Sequence, residues 1–167
     1  MTVHKEKILK EVQRALNTSN ESEVRMSKIL ELLAKNLGGS WAAHWIVDKD
    51  KGDSLRLDQV WHAPDLHSED LDSDVSNRKL SPGEGMPGKV WRTMKAESSK
   101  DITKVMMLPL SLKALSVGFD AGMWIPIVHK KNVHGVIEIL GCQAEMLNGG
   151  IVKYLQSIGE EIGKHLE

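Results

Sequence analysis

The sequence predicts an α+β fold, and three features of its 167 residues lead there. Segments with apolar residues at helical spacing stand at both ends. Runs of strand length, either alternating or apolar throughout, lie between them. Near the C-terminus two such runs, Ala121–Val128 and Val133–Leu140, flank the polar turn Lys130-Lys131-Asn132. Strands and helices in this order, without regular β–α–β alternation, indicate helices segregated around a sheet.

Residues Lys5–Leu16 carry Ile8, Leu9, Val12, Ala15 and Leu16 on one helical face. Asn17-Thr18-Ser19-Asn20 breaks that helix and offers caps for the next. The second helix, Glu21–Leu37, repeats Met26, Leu30, Leu33 and Leu37, and Gly38-Gly39 ends it. Trp41–Val47 reads as a strand covered on both sides. It sets Trp41, Ala43, Trp45 and Val47 against Ala42, His44 and Ile46. A charged turn over Asp48–Asp53 leads to a more exposed strand, Leu55–His62, in which Leu55, Leu57 and Gln59 alternate with Arg56, Asp58 and Val60. Ala63–Lys79 is a polar connection with a short helix near Ser68–Arg78. Ala96–Asp101 fits a short edge strand. The methionine-rich stretch Val105–Gly118 reads partly as helix, interrupted at Pro109. The last helix, Asn148–Leu166, carries Ile151, Leu155, Ile158 and Ile162 at heptad spacing.

Composition narrows the function classes. Hydrophobic residues make up 41% and charged residues 27%, with a net charge of −1. That is one globular domain without the basic patch that nucleic acids or membrane surfaces select. The acidic run Ser68–Asp74 is a solvated segment. No stretch reaches the length of a membrane span, and the N-terminus lacks a signal-peptide core. Cys142 is the sole cysteine, so no internal disulfide forms, as in a reducing cytoplasm. The terminal Leu166-Glu167 looks like a cloning scar on a piece of a longer protein.

The densest local signal is Leu80-Ser81-Pro82-Gly83-Glu84-Gly85-Met86-Pro87-Gly88-Lys89-Val90-Trp91. Glycines and prolines at this density specify a loop conformation. Pro87 suits the start of a helix, and Val90, Trp91 and Met94 share its face. The stretch resembles the G-E-G-x-P-G-x-V-W signature of GAF domains, the small-molecule sensing modules of signalling proteins. Trp124-Ile125-Pro126-Ile127-Val128, the Lys130-Lys131-Asn132 turn and Val133-His134-Gly135-Val136-Ile137-Glu138-Ile139-Leu140 resemble that family's last hairpin. The resemblance covers roughly residues 22–165 and is weakest around Lys100–Phe119, where family members differ by ligand. Residues 1–20 then form a leading helix and linker, and 21–167 the GAF domain.

The resemblance implies a central antiparallel sheet of five or six strands. Terminal helices cover one face, and a ligand cavity lies on the other, under the Val105–Phe119 segment. The candidate lining is Trp45, Trp61, Trp91, Met107, Leu110, Phe119 and Trp124, with Glu138 as a further ligand-binding candidate. Glu138 stands alone between Ile137 and Ile139, and a carboxylate buried in that strand must be paired. Its other reading is structural, on the alternate face against a terminal helix or solvent.

No histidine pair has a metal-binding spacing on a helix, and no nucleophile–base pattern stands out, so no catalytic residue, metal or enzyme activity is expected. Bilin-binding relatives attach their chromophore to a cysteine followed by His or Tyr, whereas Cys142 precedes Gln143. Heme-binding relatives use a histidine in the variable segment, and residues 100–122 contain none. The N-K-x-n-F-x-x-x-D-E signature of cyclic-nucleotide binders is absent. Free methionine sulfoxide reductases share the fold but use several cysteines, and one leaves no resolving thiol. The expected function is a cytoplasmic sensory module that binds a small molecule and signals through its terminal helices to an effector domain. A tetrapyrrole (heme or bilin) sensor and a ligand-free dimerisation module are the alternatives. The apolar stripes of the first, second and last helices exceed what one sheet face requires, which points to a homodimer through those helices.

Overall fold

The computed structural model describes residues 5–48, 50, 54–148 and 150–165. Part of the Asp48–Asp53 turn, His4 and the terminal Leu166-Glu167 lie outside them. The described elements are α1 (Lys5–Asn17), α2 (Ser22–Asn36), β1 (Trp41–Val47), β2 (Leu55–His62), α3 (Glu69–Ser76), β3 (Lys79–Leu80), α4 (Gly85–Thr93), β4 (Glu97–Ser99), α5 (Leu110–Ser116), β5 (Ala121–His129), β6 (Asn132–Cys142) and α6 (Ile151–Gly163). A short 3-10 turn, Ile102–Lys104, precedes α5. The six strands form one antiparallel sheet in the order β3-β2-β1-β6-β5-β4.

Two apolar clusters follow from the two-residue period of the strands. Ala42, Ile125, Ile127, Ile137 and Ile139 face α1, α2 and α6. Trp41, Ala43, Trp45, Trp124, Val136 and Leu140 face α3, α4 and α5. The expected layering therefore holds, with the terminal helices on one face.

The stripes of those helices are consumed within the chain. Met26, Leu30, Leu33 and Leu37 are buried, as are Ile151, Leu155, Ile158 and Ile162. Helix α1 buries Ile8, Val12, Ala15 and Leu16 in the same cluster. The spare apolar surface that pointed to a dimer is thus absent from these positions. Charging Ile162 would disrupt the core rather than release a folded monomer.

The glycine-rich loop feeds α4 two residues earlier than Pro87. Pro87 sits in the first helical turn, where its missing N–H needs no partner. The Gly83 N–H donates to the Gly88 carbonyl at 2.8 Å, closing the loop on the helix. Gly85 has φ +64°, and a Cβ on Gly88 would lie 2.4 Å from the Ser81 carbonyl oxygen. Gly88→Val therefore pushes α4 off the loop. The expected loss is roughly 1–3 kcal/mol, the cost of overpacking, read as a lowered denaturant midpoint; an unchanged midpoint would show that the loop yields freely.

Candidate functional site

The face of the sheet under α4 and α5 holds one buried carboxylate. Glu138 on β6 is only 1% exposed. Strand register places it between Ala43 of β1 and Trp124 of β5. The Trp45 indole N–H donates to one carboxylate oxygen at 3.1 Å, and the Trp124 indole N–H donates to the other at 2.7 Å. Glu138 thus faces neither a terminal helix nor solvent, which corrects the structural reading of its placement. Burial pushes its pKa above the ordinary glutamate value, and the two indole donors oppose that shift.

Leu80, Gly85, Met86, Pro87, Met106, Met107 and Leu110 close over Trp45 and Glu138. The free space among them is only about 10 Å³, at most the room of one water. The segment above is fastened to α3. Lys113 Nζ lies 2.8 Å from Asp74, Arg78 pairs with the same carboxylate, and Arg78 Nη1 lies 3.2 Å from the Met107 sulfur. The hydrogen bond from Arg78, with help from Lys113, holds the Asp74 carboxyl below its ordinary value against partial burial.

The expected lining residues separate into three groups. Trp45, Met107, Leu110 and Glu138 line this space, and Trp124 anchors Glu138 beneath it. Phe119 and Trp91 pack in the same apolar cluster without lining the space. Trp61 lies on the opposite face, against the terminal-helix cluster, and is corrected. The cause is a bulge. His44 pairs with Gln59 and Trp45 with Leu57, so Asp58 is the extra residue and reverses the alternation beyond it. Leu80, Met86 and Met106 were missed because they meet the site only through the closed loop and the turn before α5. The stretch Val105–Gly118 holds a helix only after Pro109, which stands at the N-cap of α5.

Cys142, at the end of β6, belongs to the terminal-helix cluster, across the sheet from Glu138. Burial pushes its pKa to about 12. Such a thiol carries little thiolate at neutral pH. Alkylation is therefore expected to be slow in the native protein and fast after unfolding. Rapid native labelling at pH 7 would make Cys142 a reactive group.

Several solved structures share the whole fold at low identity. fRMsr of Staphylococcus aureus, in complex with its substrate, matches with a TM-score of 0.74 and 15% identity, covering 100% of this chain and 98% of that one. Free methionine-R-sulfoxide reductase from Neisseria meningitidis, also in complex with its substrate, matches with a TM-score of 0.72 and 14% identity, covering 96% and 87%. The GAF domain of an Acinetobacter phosphoenolpyruvate-protein phosphotransferase matches with a TM-score of 0.73 and 12% identity, covering 99% and 94%. The two reductases correct the expectation that this chain is not an enzyme, because the same fold serves a catalytic protein over essentially its full length. No curated relative matches the sequence. No described helix is long and apolar enough to cross a membrane. The family profile of the GAF domain matches residues 19–167, and the chain belongs to that family.

Proposed function

We propose that this GAF domain is a cytoplasmic regulatory module that binds a small molecule beneath α4 and the 105–116 segment, with Glu138 at the floor of the site. The observation that carries the reading is the Glu138 carboxylate, wholly buried yet facing a space covered by movable methionine and leucine side chains. Two indoles hold it in place, and a ligand N–H or O–H would share its oxygens. The closed space is too small for any metabolite. Binding therefore requires the segment above to lift, breaking the Lys113–Asp74 ion pair. A ligand shifts that equilibrium only by its preference for the lifted state.

A route to the terminal helices supports the regulatory part. Gln156 on α6 accepts from the Ala96 backbone N–H at 2.7 Å and donates to the Met94 carbonyl at 2.9 Å. Met94 caps the end of α4. A displaced α4 would thereby tug the helix that leads out of the domain toward an effector.

The test begins with absorbance and mass spectrometry of what co-purifies, followed by a thermal-shift screen of metabolites that includes free methionine-R-sulfoxide. The expected result is a colourless protein stabilised by a small polar compound, with faster association in Lys113→Ala. A visible absorption band would favour a tetrapyrrole. Turnover of the sulfoxide would make the domain a reductase. No stabilisation by any compound would remove the sensor reading.

A further inference from the structure

A fixed cation stands at the rim of the space above Glu138. Arg78 lies between α3 and β3, and its side chain is only 23% exposed. Its Nε donates to an Asp74 oxygen, which holds the plane of the guanidinium. On another edge its Nη1 donates to the Met107 sulfur at 3.2 Å. A thioether is a weak acceptor. A guanidinium stays charged throughout the physiological range, so this mismatch does not depend on a titration.

Met107 is half-buried and itself lines the space. Its sulfur also packs on the glycine-rich loop, 3.5 Å from where a Cβ on Gly85 would sit. The thioether therefore plugs the gap between Arg78 and that loop. A group that displaced it would meet the guanidinium directly.

We infer, on the small-molecule reading of the site beneath α4, that Arg78 is a recognition residue and that the compound bound there carries an oxyanion, a carboxylate or a phosphate. Lifting of the 105–116 segment takes Met107 off Arg78 and separates Lys113 from Asp74. An oxyanion then replaces the weak sulfur contact with charge-assisted hydrogen bonds, which a guanidinium makes in pairs. That gain is the differential affinity the lifted state needs. Asp74 keeps hold of Nε and leaves the Nη groups for the ligand. Lys113 shares the Asp74 carboxylate with Arg78 and adds a second cation at the same rim. Asp70, 3.8 Å from Lys113, is 84% exposed, so solvent screens it. Both Glu138 oxygens already accept from indoles, so the floor suits a further hydroxyl or N–H and the oxyanion belongs at the rim. Leu80, Met86, Met106 and Leu110 line the space between and suit a hydrocarbon body.

The test titrates the whole chain with ω-hydroxycarboxylates and ω-hydroxyalkyl phosphates of graded chain length, each against the matching α,ω-diol. The indole N–H signals of Trp45 and Trp124 report binding beneath α4. At least one acid is expected to bind about tenfold or more tightly than its diol, the worth of a hydrogen bond to a charged group. Arg78→Gln should abolish that preference. Met107→Ala leaves Arg78 charged and should tighten the same acid, because no side chain has to be displaced; it decides the matter if Arg78→Gln does not fold. Tighter binding of one series identifies the oxyanion as carboxylate or phosphate, and either supports the proposal. Diols that bind as well as the acids would overturn it and leave the site beneath α4 standing. A preference for the acid that survives Arg78→Gln, weaker acid binding in Met107→Ala, or indoles unmoved by every acid would overturn it as well, the site itself being judged by the metabolite screen.

Discussion

Glu138→Ala is expected to lower the unfolding free energy by about 3–5 kcal/mol. Two buried indole N–H groups lose their acceptor at once, each at a cost of roughly 1–3 kcal/mol, and the truncated side chain leaves a void that the rigid indoles cannot fill. Glu138→Gln separates the charge from the shape. Its single amide oxygen satisfies one indole while its NH₂ faces the other N–H. That mismatch opposes the gain from removing a buried charge, so the net loss is expected to be only about 1–2 kcal/mol. The pH dependence distinguishes these terms. The folded pKa of Glu138 is raised above the ordinary 4.5. The folded state therefore binds this proton more tightly than the unfolded chain. Its contribution is full below the unfolded value and is lost as pH rises through the folded one. Urea unfolding of the parent and of Glu138→Gln at several pH values should show a difference that shrinks as pH rises. A difference constant with pH would mean that Glu138 does not titrate in this window.

Gly159→Ala should also destabilise the protein, although the exchange favours a helix. A Cβ at Gly159 would lie 1.9 Å from the Pro126 carbonyl oxygen, and one at Gly163 would lie 2.1 Å from that of Val128. These two positions, one turn apart on α6, let the helix lie directly on the backbone of β5. Alanine gains about 1 kcal/mol in helix propensity. Lifting α6 off the strand costs about 3 kcal/mol or more. The clash wins, with a net loss of about 2 kcal/mol, and Gly159→Val should be worse. A variant more stable than the parent in denaturant would mean that α6 sits further from the sheet.

The parts of the fold legible in the sequence were those whose signal is local. The stripe Met26, Leu30, Leu33 and Leu37 announces a helix because each turn repeats it. The two runs around Lys130-Lys131-Asn132 announce a hairpin for the same reason. The two-residue strand Lys79–Leu80 has no pattern long enough to read. Trp61 was assigned to the wrong face because strand alternation assumes an unbroken pleat, and one extra residue at Asp58 inverts it. The glycines at 159 and 163 carry no legible role in the sequence, since only the neighbouring strand gives them a purpose. Glu138 was visible as an anomaly, yet its partner Trp45 stands 93 residues away. No spacing rule spans that distance. The stripes do not by themselves specify an assembly: α1, α2 and α6 bury Ile8, Val12, Leu16 and both heptad stripes in one cluster with the sheet, so those residues have a place within one chain.

The five tryptophans offer the most direct reading of where a ligand sits. Each indole N–H gives its own signal in a ¹H–¹⁵N correlation spectrum. Trp45 and Trp124 grip Glu138, whereas Trp61 packs on the other side of the sheet. Titration with a stabilising compound that associates faster with Lys113→Ala should shift the Trp45 and Trp124 indole signals together and leave Trp61 in place. Such a compound moving Trp61 while Trp45 and Trp124 stay fixed would contradict a ligand site floored by Glu138.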